Sequence, residues 1–202
     1  MDLTLIYTIV GFGLAAYSVI GNDSIQTLGT FLASNKERFN WYILWFAASV
    51  AMTFTLAYGW YFYDGDIAYE RLTQIPYQEI KWYHAMAPAV LLLLTRIGIP
   101  VSTTFLVLSA FASTVVLEKM LIKSMVGYGI AALSAYLIWV LLERLIDEKQ
   151  NRISIPRRRA WRIAQWISSG WLFFAWLQHD MANIAVFLPR QLSFIQLLMV
   201  LC

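Results

Sequence analysis

The sequence predicts an all-α, polytopic integral membrane protein whose helices are interrupted at polar sites and related as an inverted repeat. Three observations predict it. First, 60% of the 202 residues are hydrophobic and only 13% charged, with a mean hydropathy of +0.61, which is more apolar surface than a soluble domain of this size needs. Second, several apolar runs are long enough to cross a ~30 Å hydrocarbon core. Third, two of these runs, one in each half of the chain, carry an Asp beside hydrogen-bonding groups in their later parts.

The elements follow in order. Residues 3–34 open as "LTLIYTIVGFGLAAYSVI" and continue past the polar stretch "GNDSIQT" (21–27). The run lacks a basic n-region and a small-residue cleavage site, so a retained first helix is expected rather than a signal peptide. A short turn, "NKERFN" (35–40), leads to a second span at 41–63, which has aromatic residues at both ends where the interfaces lie. The next apolar stretch, 84–117, is interrupted by Gly98, Pro100 and a Ser-Thr-Thr run. A further span is expected at 124–146, and a long one with a polar insert at 161–190.

Loop charges suggest an orientation. Residues 143–162 hold seven basic side chains against three acids, which places this loop in the cytoplasm by the positive-inside rule, whereas 64–82 has four acids and two bases and is the better outer loop. If 84–117 crossed once, the third full span would deliver the Arg-rich loop to the wrong side. A re-entrant hairpin resolves this, because the ~15 residues from His84 to Gly98 reach only about 22 Å as a helix. Lys119 and Lys123 then fall on the outer side, against the charge rule. Three crossings before the basic loop give whatever follows the opposite polarity, the condition for an inverted repeat. The expected organisation is a first repeat at 1–147, a cytoplasmic basic linker at 148–160, and the start of a second repeat at 161–202. "GNDSIQT" and "QHDMANI" (178–184) support it, since each has an Asp followed three residues later by an amide: Asp23 with Gln26, and Asp180 with Asn183.

The chemistry concentrates at these polar inserts. Backbone freed by a broken helix survives in a membrane only where it lines a cavity or is buried in protein, and Gly21 and the Gly98–Pro100 stretch are the expected breaks. A helix restarting after Pro100 would offer N–H groups beside the hydroxyls of Ser102, Thr103 and Thr104, a set suited to an oxyanion. The plainer alternative is that these hydroxyls bond back to their own helix or pack helices together. A carboxylate at Asp23 or Asp180 needs a cation, Na+ or H+, for its burial to be tolerable. His84 sits at an interface, and His179 is expected as a lining residue or as a partner of Asp180; nothing fixes the two as haem ligands. No Cys/His cluster has metal-ligand spacing, and the single cysteine, Cys202, leaves no internal disulfide. No basic patch with stacking aromatics points to nucleic acid. An enzyme is not expected, for no nucleophile–base pair is visible.

Three of these motifs together resemble one family. "GNDSIQTLGTFLAS" is similar to the GANDVANAFGTSVGS signature of inorganic phosphate transporters of the PiT type, "GIPVSTT" to their P-[VI]-S-T-T-H segment, and "HDMANIAVFLP" to their second GANDVANA-type signature. Order and spacing agree over nearly the whole chain. The resemblance implies an inverted-repeat secondary transporter that moves inorganic phosphate together with Na+ or H+, with no other cofactor. It puts Asn22, Asp23, Gln26, Gly29, Thr30 and Ser34 in the first signature, Ser102, Thr103 and Thr104 in the oxyanion segment, and Asp180 and Asn183 in the second signature. Substrate contacts are then expected from Asn22, Thr30, Ser102, Thr103, Thr104 and Asn183, and cation contacts from Asp23, Gln26 and Asp180, with Na+ at Asp23 and Asp180.

Departures from the family pattern are His179, Gln26, Phe105 and the Val186–Phe187 pair, all close to the site, which opens the substrate to a related oxyanion such as sulfate. A second P-[VI]-S-T-T element is missing, so the second repeat is expected to be incomplete: either a longer polypeptide continues past "LLMVLC", the favoured case, or a further chain or second copy supplies the wall. The expected setting is a plasma or inner membrane, crossed several times. The alternative reading is a non-transporting scaffold or ligand-sensing subunit that keeps the transporter fold within a larger assembly.

Overall fold

The computed structural model describes residues 2–99, 101–146, 155–190 and 192–201. Met1, Pro100, residues 147–154, Gln191 and Cys202 lie outside the described residues, and with them the part of the expected basic linker at 148–154. All regular structure among the described residues is helical: α1 (Leu3–Ser18), a π-helical segment (Val19–Ser24), α2 (Ile25–Asn35), α3 (Trp41–Phe62), α4 (Trp82–Arg96), α5 (Thr103–Ser109), α6 (Thr114–Ile146), α7 (Ile155–Ala185) and α8 (Phe194–Leu201).

Among the described residues, three helices are long and apolar enough to cross a membrane: Leu3–Asn35 taken through the π segment, Trp41–Phe62 and Thr114–Glu143. The first two coincide with the apolar runs expected at 3–34 and 41–63, and the third overlaps the run expected at 124–146 but starts ten residues earlier, at Thr114. The run expected at 161–190 is not among them. Its helix, α7, is 31 residues long, but Ser168-Ser169-Gly170 and Gln178-His179-Asp180 dilute its apolar character, and it starts at Ile155 and ends at Ala185. Six residues expected in the linker thus form its first turns.

Two expected breaks have defined local structure. At Gly21 the helix does not stop. It widens into a π segment, "VIGNDS", and resumes as α2. One extra residue per turn changes which side chains face inward after it, and such segments recur at functional sites. At Gly98 the helix does end. Gly98 takes φ +80°, its N–H donates to the Thr95 carbonyl at 3.1 Å and the Ile99 N–H donates to Leu94 at 3.0 Å, the paired bonds of a Schellman cap that a side chain would strain. α5 then packs back against α4. The returning arm is shorter than the sequence suggested, because α5 ends at Ser109 and residues 114–117 already belong to α6.

α7 is the central helix, touching α1, α2, α3, α5 and the π segment, while α1 lies along α4. The core between them contains Ala15, Val19, Leu56, Leu91, Val107, Phe111, Leu177 and Met181. Phe187, just past α7, fills the gap beside Gly11, where a Cβ would overlap the Phe187 ring. Phe111 meets the same ring edge-on at 5.2 Å. α6 differs from the other long helices, because none of its apolar window is buried and its side chains, Leu133, Trp139 and Leu141 among them, are exposed. That surface suits lipid.

The segment 63–81, which holds all but the last residue of the outer loop expected at 64–82, folds onto the helices. Ile67, Ala68, Leu72, Ile75 and Ile80 are buried in the common core. Asp66 shapes its start, accepting from the Ala68 and Glu70 N–H groups at 2.8 Å each, and Tyr69 donates to the Thr55 carbonyl at 2.6 Å.

Candidate functional site

The polar inserts of the two halves meet around the start of α5. Asn22, on the π segment, donates through Nδ2 to Thr103 Oγ1 at 3.0 Å and to the Val101 carbonyl at 3.3 Å, and reaches the neighbouring Asp23 Oδ1 at 2.8 Å. From the other side Asn183, on α7, donates to Thr104 Oγ1 at 3.2 Å. Each amide therefore ties one of two adjacent threonines to a different helix. Ser102 caps α5 by accepting from the Phe105 N–H at 3.3 Å, so its hydroxyl supplies an acceptor that the helix start would otherwise lack.

A cavity of about 360 Å³ opens between these elements, lined by Asp23, Gln26, Val101, Ser102, Thr103, Thr104, Tyr128, Trp176 and Asp180. Six of the expected site residues line it. Asn22 and Asn183 act one step behind, as braces for the threonines. Thr30 is not part of it: it is exposed on α2, and its carbonyl accepts from Ser34 Oγ at 2.8 Å. Seven residues of helix separate it from Asp23, about 10 Å along the axis. Ser34 is further still. Its hydroxyl accepts from Gln165 Nε2 at 2.6 Å, and beside it Asn35 Oδ1 accepts from the Trp166 indole at 3.2 Å, a separate polar contact between α2 and α7.

Tyr128 and Trp176 were not singled out from the sequence. Trp176 could have been found, for it stands four residues before Asp180 and so shares its helix face, as Asn183 does three residues after. Tyr128 carries no such signal, because only the fold brings α6 past the cavity. The two histidines separate. His84 is buried against Phe111, ring centroids 4.2 Å apart and 9° from parallel, and its Nδ1 accepts from the Lys81 N–H at 3.0 Å. His179 pairs through Nδ1 with Arg71 of the 63–81 segment rather than with Asp180.

The donors and acceptors define what the cavity can hold. All three hydroxyls are engaged as acceptors, from Phe105, Asn22 and Asn183, which leaves each O–H free to turn towards a ligand oxygen. Two buried acceptors, Asp23 Oδ2 and Asn183 Oδ1, have no partner, and a buried acceptor in that state calls for a cation or a donor. Asp23 and Asp180 are both buried. The oxygen set of carboxylates, amides and hydroxyls fits a hard cation such as Na+. Among the described residues there is no cluster of three or more His, Cys, Asp or Glu side chains.

Compared with protein-family models, with curated proteins and with solved structures, the chain matches none.

Proposed function

We propose that this protein is a membrane transporter of inorganic phosphate, or of a similar oxyanion such as sulfate, coupled to Na+ or H+, and that the cavity around Asp23, Ser102–Thr104 and Asp180 is its substrate site. The observation that carries the proposal is the convergence on one cavity of two buried carboxylates, from the two halves of the chain, with three hydroxyls whose acceptor sides are already used. The resemblance of "GNDSIQTLGTFLAS", "PVSTT" and "HDMANI" to the phosphate-transporter signatures supports the same reading. In it, the π segment and α7 belong to two inverted repeats, and α4 and α5 form the re-entrant hairpin between them.

The chemistry follows from charge. Hydroxyls at Ser102, Thr103 and Thr104 donate to the oxyanion without binding it irreversibly. Lining the same cavity with Asp23 and Asp180 makes an anion on its own unwelcome, so it enters together with cations held by those carboxylates, with Gln26 supplying a further oxygen. Coupling is then a consequence of electroneutrality in a low-dielectric site.

Uptake of radiolabelled phosphate into proteoliposomes, with Na+ and H+ gradients imposed separately, tests this. Saturable uptake driven by one of the gradients is expected, and competition by sulfate ranks the two anions. A purified protein showing neither uptake nor saturable phosphate binding would overturn the proposal.

A further inference from the structure

A second cavity, of about 380 Å³, abuts the first. Its lining includes Glu70 and Arg71 of the 63–81 segment, Thr104 of α5, and Lys119, Lys123 and Ser124 of α6. Thr104 lines both cavities, so the two are neighbours through one side chain. Three bases and one acid line the second cavity, a formal balance of +2 (3 − 1). The charges come from two separate elements. Lys119 and Lys123 are four residues apart and share one face of α6, and Arg71 faces them from the folded segment.

Arg71 is held in place. Leu72 and Ile75 beside it are buried in the core, Asp66 fixes the preceding turn, and one guanidinium nitrogen is paired with His179. Its Nε is buried with no partner. A cation fixed in this way, with donor capacity left over, is a prepared oxyanion contact. The same arrangement accounts for Lys119 and Lys123, which orientation by loop charge leaves on the side where basic residues are not expected.

We propose that this second cavity is an anion-collecting vestibule, a binding site for a tetrahedral oxyanion held by Arg71, Lys119 and Lys123 and adjoining the inner cavity at Thr104. The proposal deepens the transport reading and rests on it for the direction of travel, but the site itself is defined by charge. Its function is to concentrate the anion outside a cavity whose own carboxylates repel it.

The test reads local potential directly. In a Cys202→Ser background, a reporter thiol at Thr73→Cys, which lines the vestibule, is labelled in nanodiscs by an anionic and by a cationic methanethiosulfonate. The anionic reagent is expected to be favoured, and Lys119→Gln with Lys123→Gln should lower the anion-to-cation rate ratio about tenfold at low salt, an effect that fades as salt is raised. Millimolar inorganic phosphate should slow the anionic reagent in the parent and not in the Lys variant. If Thr73→Cys does not fold, Ser124→Cys reports from the opposite wall. An unchanged rate ratio, or phosphate protection equal in both backgrounds, would overturn the vestibule. The transport reading fails separately: a protein that takes up no phosphate but keeps the charge-dependent labelling retains the vestibule as an anion site, whereas intact uptake with an unchanged ratio removes the vestibule alone.

Discussion

Asn22 is the side chain on which the inner cavity most depends, and a double-mutant cycle with Thr103 measures that dependence. Its amide faces three acceptors, Asp23 Oδ1 at 2.8 Å, Thr103 Oγ1 at 3.0 Å and the Val101 carbonyl at 3.3 Å, with two hydrogens to give. Side-chain bonds between membrane helices average about 0.6 kcal/mol and reach about 1.7 kcal/mol. A bond to a carboxylate is worth about 1.5–3 kcal/mol. Asn22→Leu keeps the volume and removes both donors, and it leaves Asp23, whose Oδ2 already lacks a partner, with neither oxygen satisfied. A loss of about 2–4 kcal/mol is expected for Asn22→Leu, and about 1 kcal/mol for Thr103→Val, which keeps the shape and loses the hydroxyl. The coupling between the two should be about 0.5–1.5 kcal/mol, read from reversible unfolding of the four proteins in mixed micelles. Additivity to within ~0.3 kcal/mol would refute the bridge between the π segment and α5, and with it the geometry assigned to the cavity.

Three further outcomes are expected. Asp23→Asn should weaken the Na+ or H+ dependence of uptake before it reduces the amount of folded protein, as should Asp180→Asn; unchanged cation dependence in either variant removes that residue from the coupling role. Gly11→Ala should cost about 1–3 kcal/mol by overpacking, since its Cβ would overlap the Phe187 ring, and Phe187→Leu added to it should recover part of the loss; a neutral Gly11→Ala in thermal unfolding would show that the ring yields freely. Burial pushes the Tyr69 phenol from 10.0 up to about 12. It stays neutral in the fold while the unfolded chain ionises near pH ~10, so stability is intact below that value and falls as pH rises towards about 12. Tyr69→Phe should flatten the fall of melting temperature in that window, and an identical slope would rule Tyr69 out as its source.

The three helices long and apolar enough to cross a membrane were legible because each carries a long apolar run, the first despite its polar insert, and the lining acids because an Asp in such a run stands out on composition alone. Other features depended on information that no local window holds. The π segment follows from where Asn22 must point to reach Thr103, a contact across about eighty positions of chain. The fold of 63–81 was hidden because Ile67, Leu72, Ile75 and Ile80 follow no helical or strand period; they are spaced by turns that Asp66 and the left-handed Tyr69 and Glu70 create. α7 begins earlier than expected because "IPRRRA" reads as a linker by charge, while arginine is a good helix former. Thr30 was placed in the site by a signature match, but a match of linear motifs says nothing about the two turns of helix that separate it from Asp23.

The adjacent threonines also bear on how such a cavity could open to one side at a time. Successive residues on a helix point about 100° apart, so Thr103 and Thr104 face different neighbours, and each is held by a single amide, at 3.0 Å from Asn22 and at 3.2 Å from Asn183. α5 has only seven residues, too few to be stable by its own hydrogen bonds, and its position is therefore set by what holds its ends. In a transporter of the proposed kind, a small rotation of α5 would lengthen one bridge while keeping the other. The threonine on the open side would carry its already free O–H to the arriving anion, and the threonine still braced would keep the opposite wall closed. Ligand binding and gating would in that case use the same two hydroxyls, which gives a physical reason for two threonines in succession rather than one.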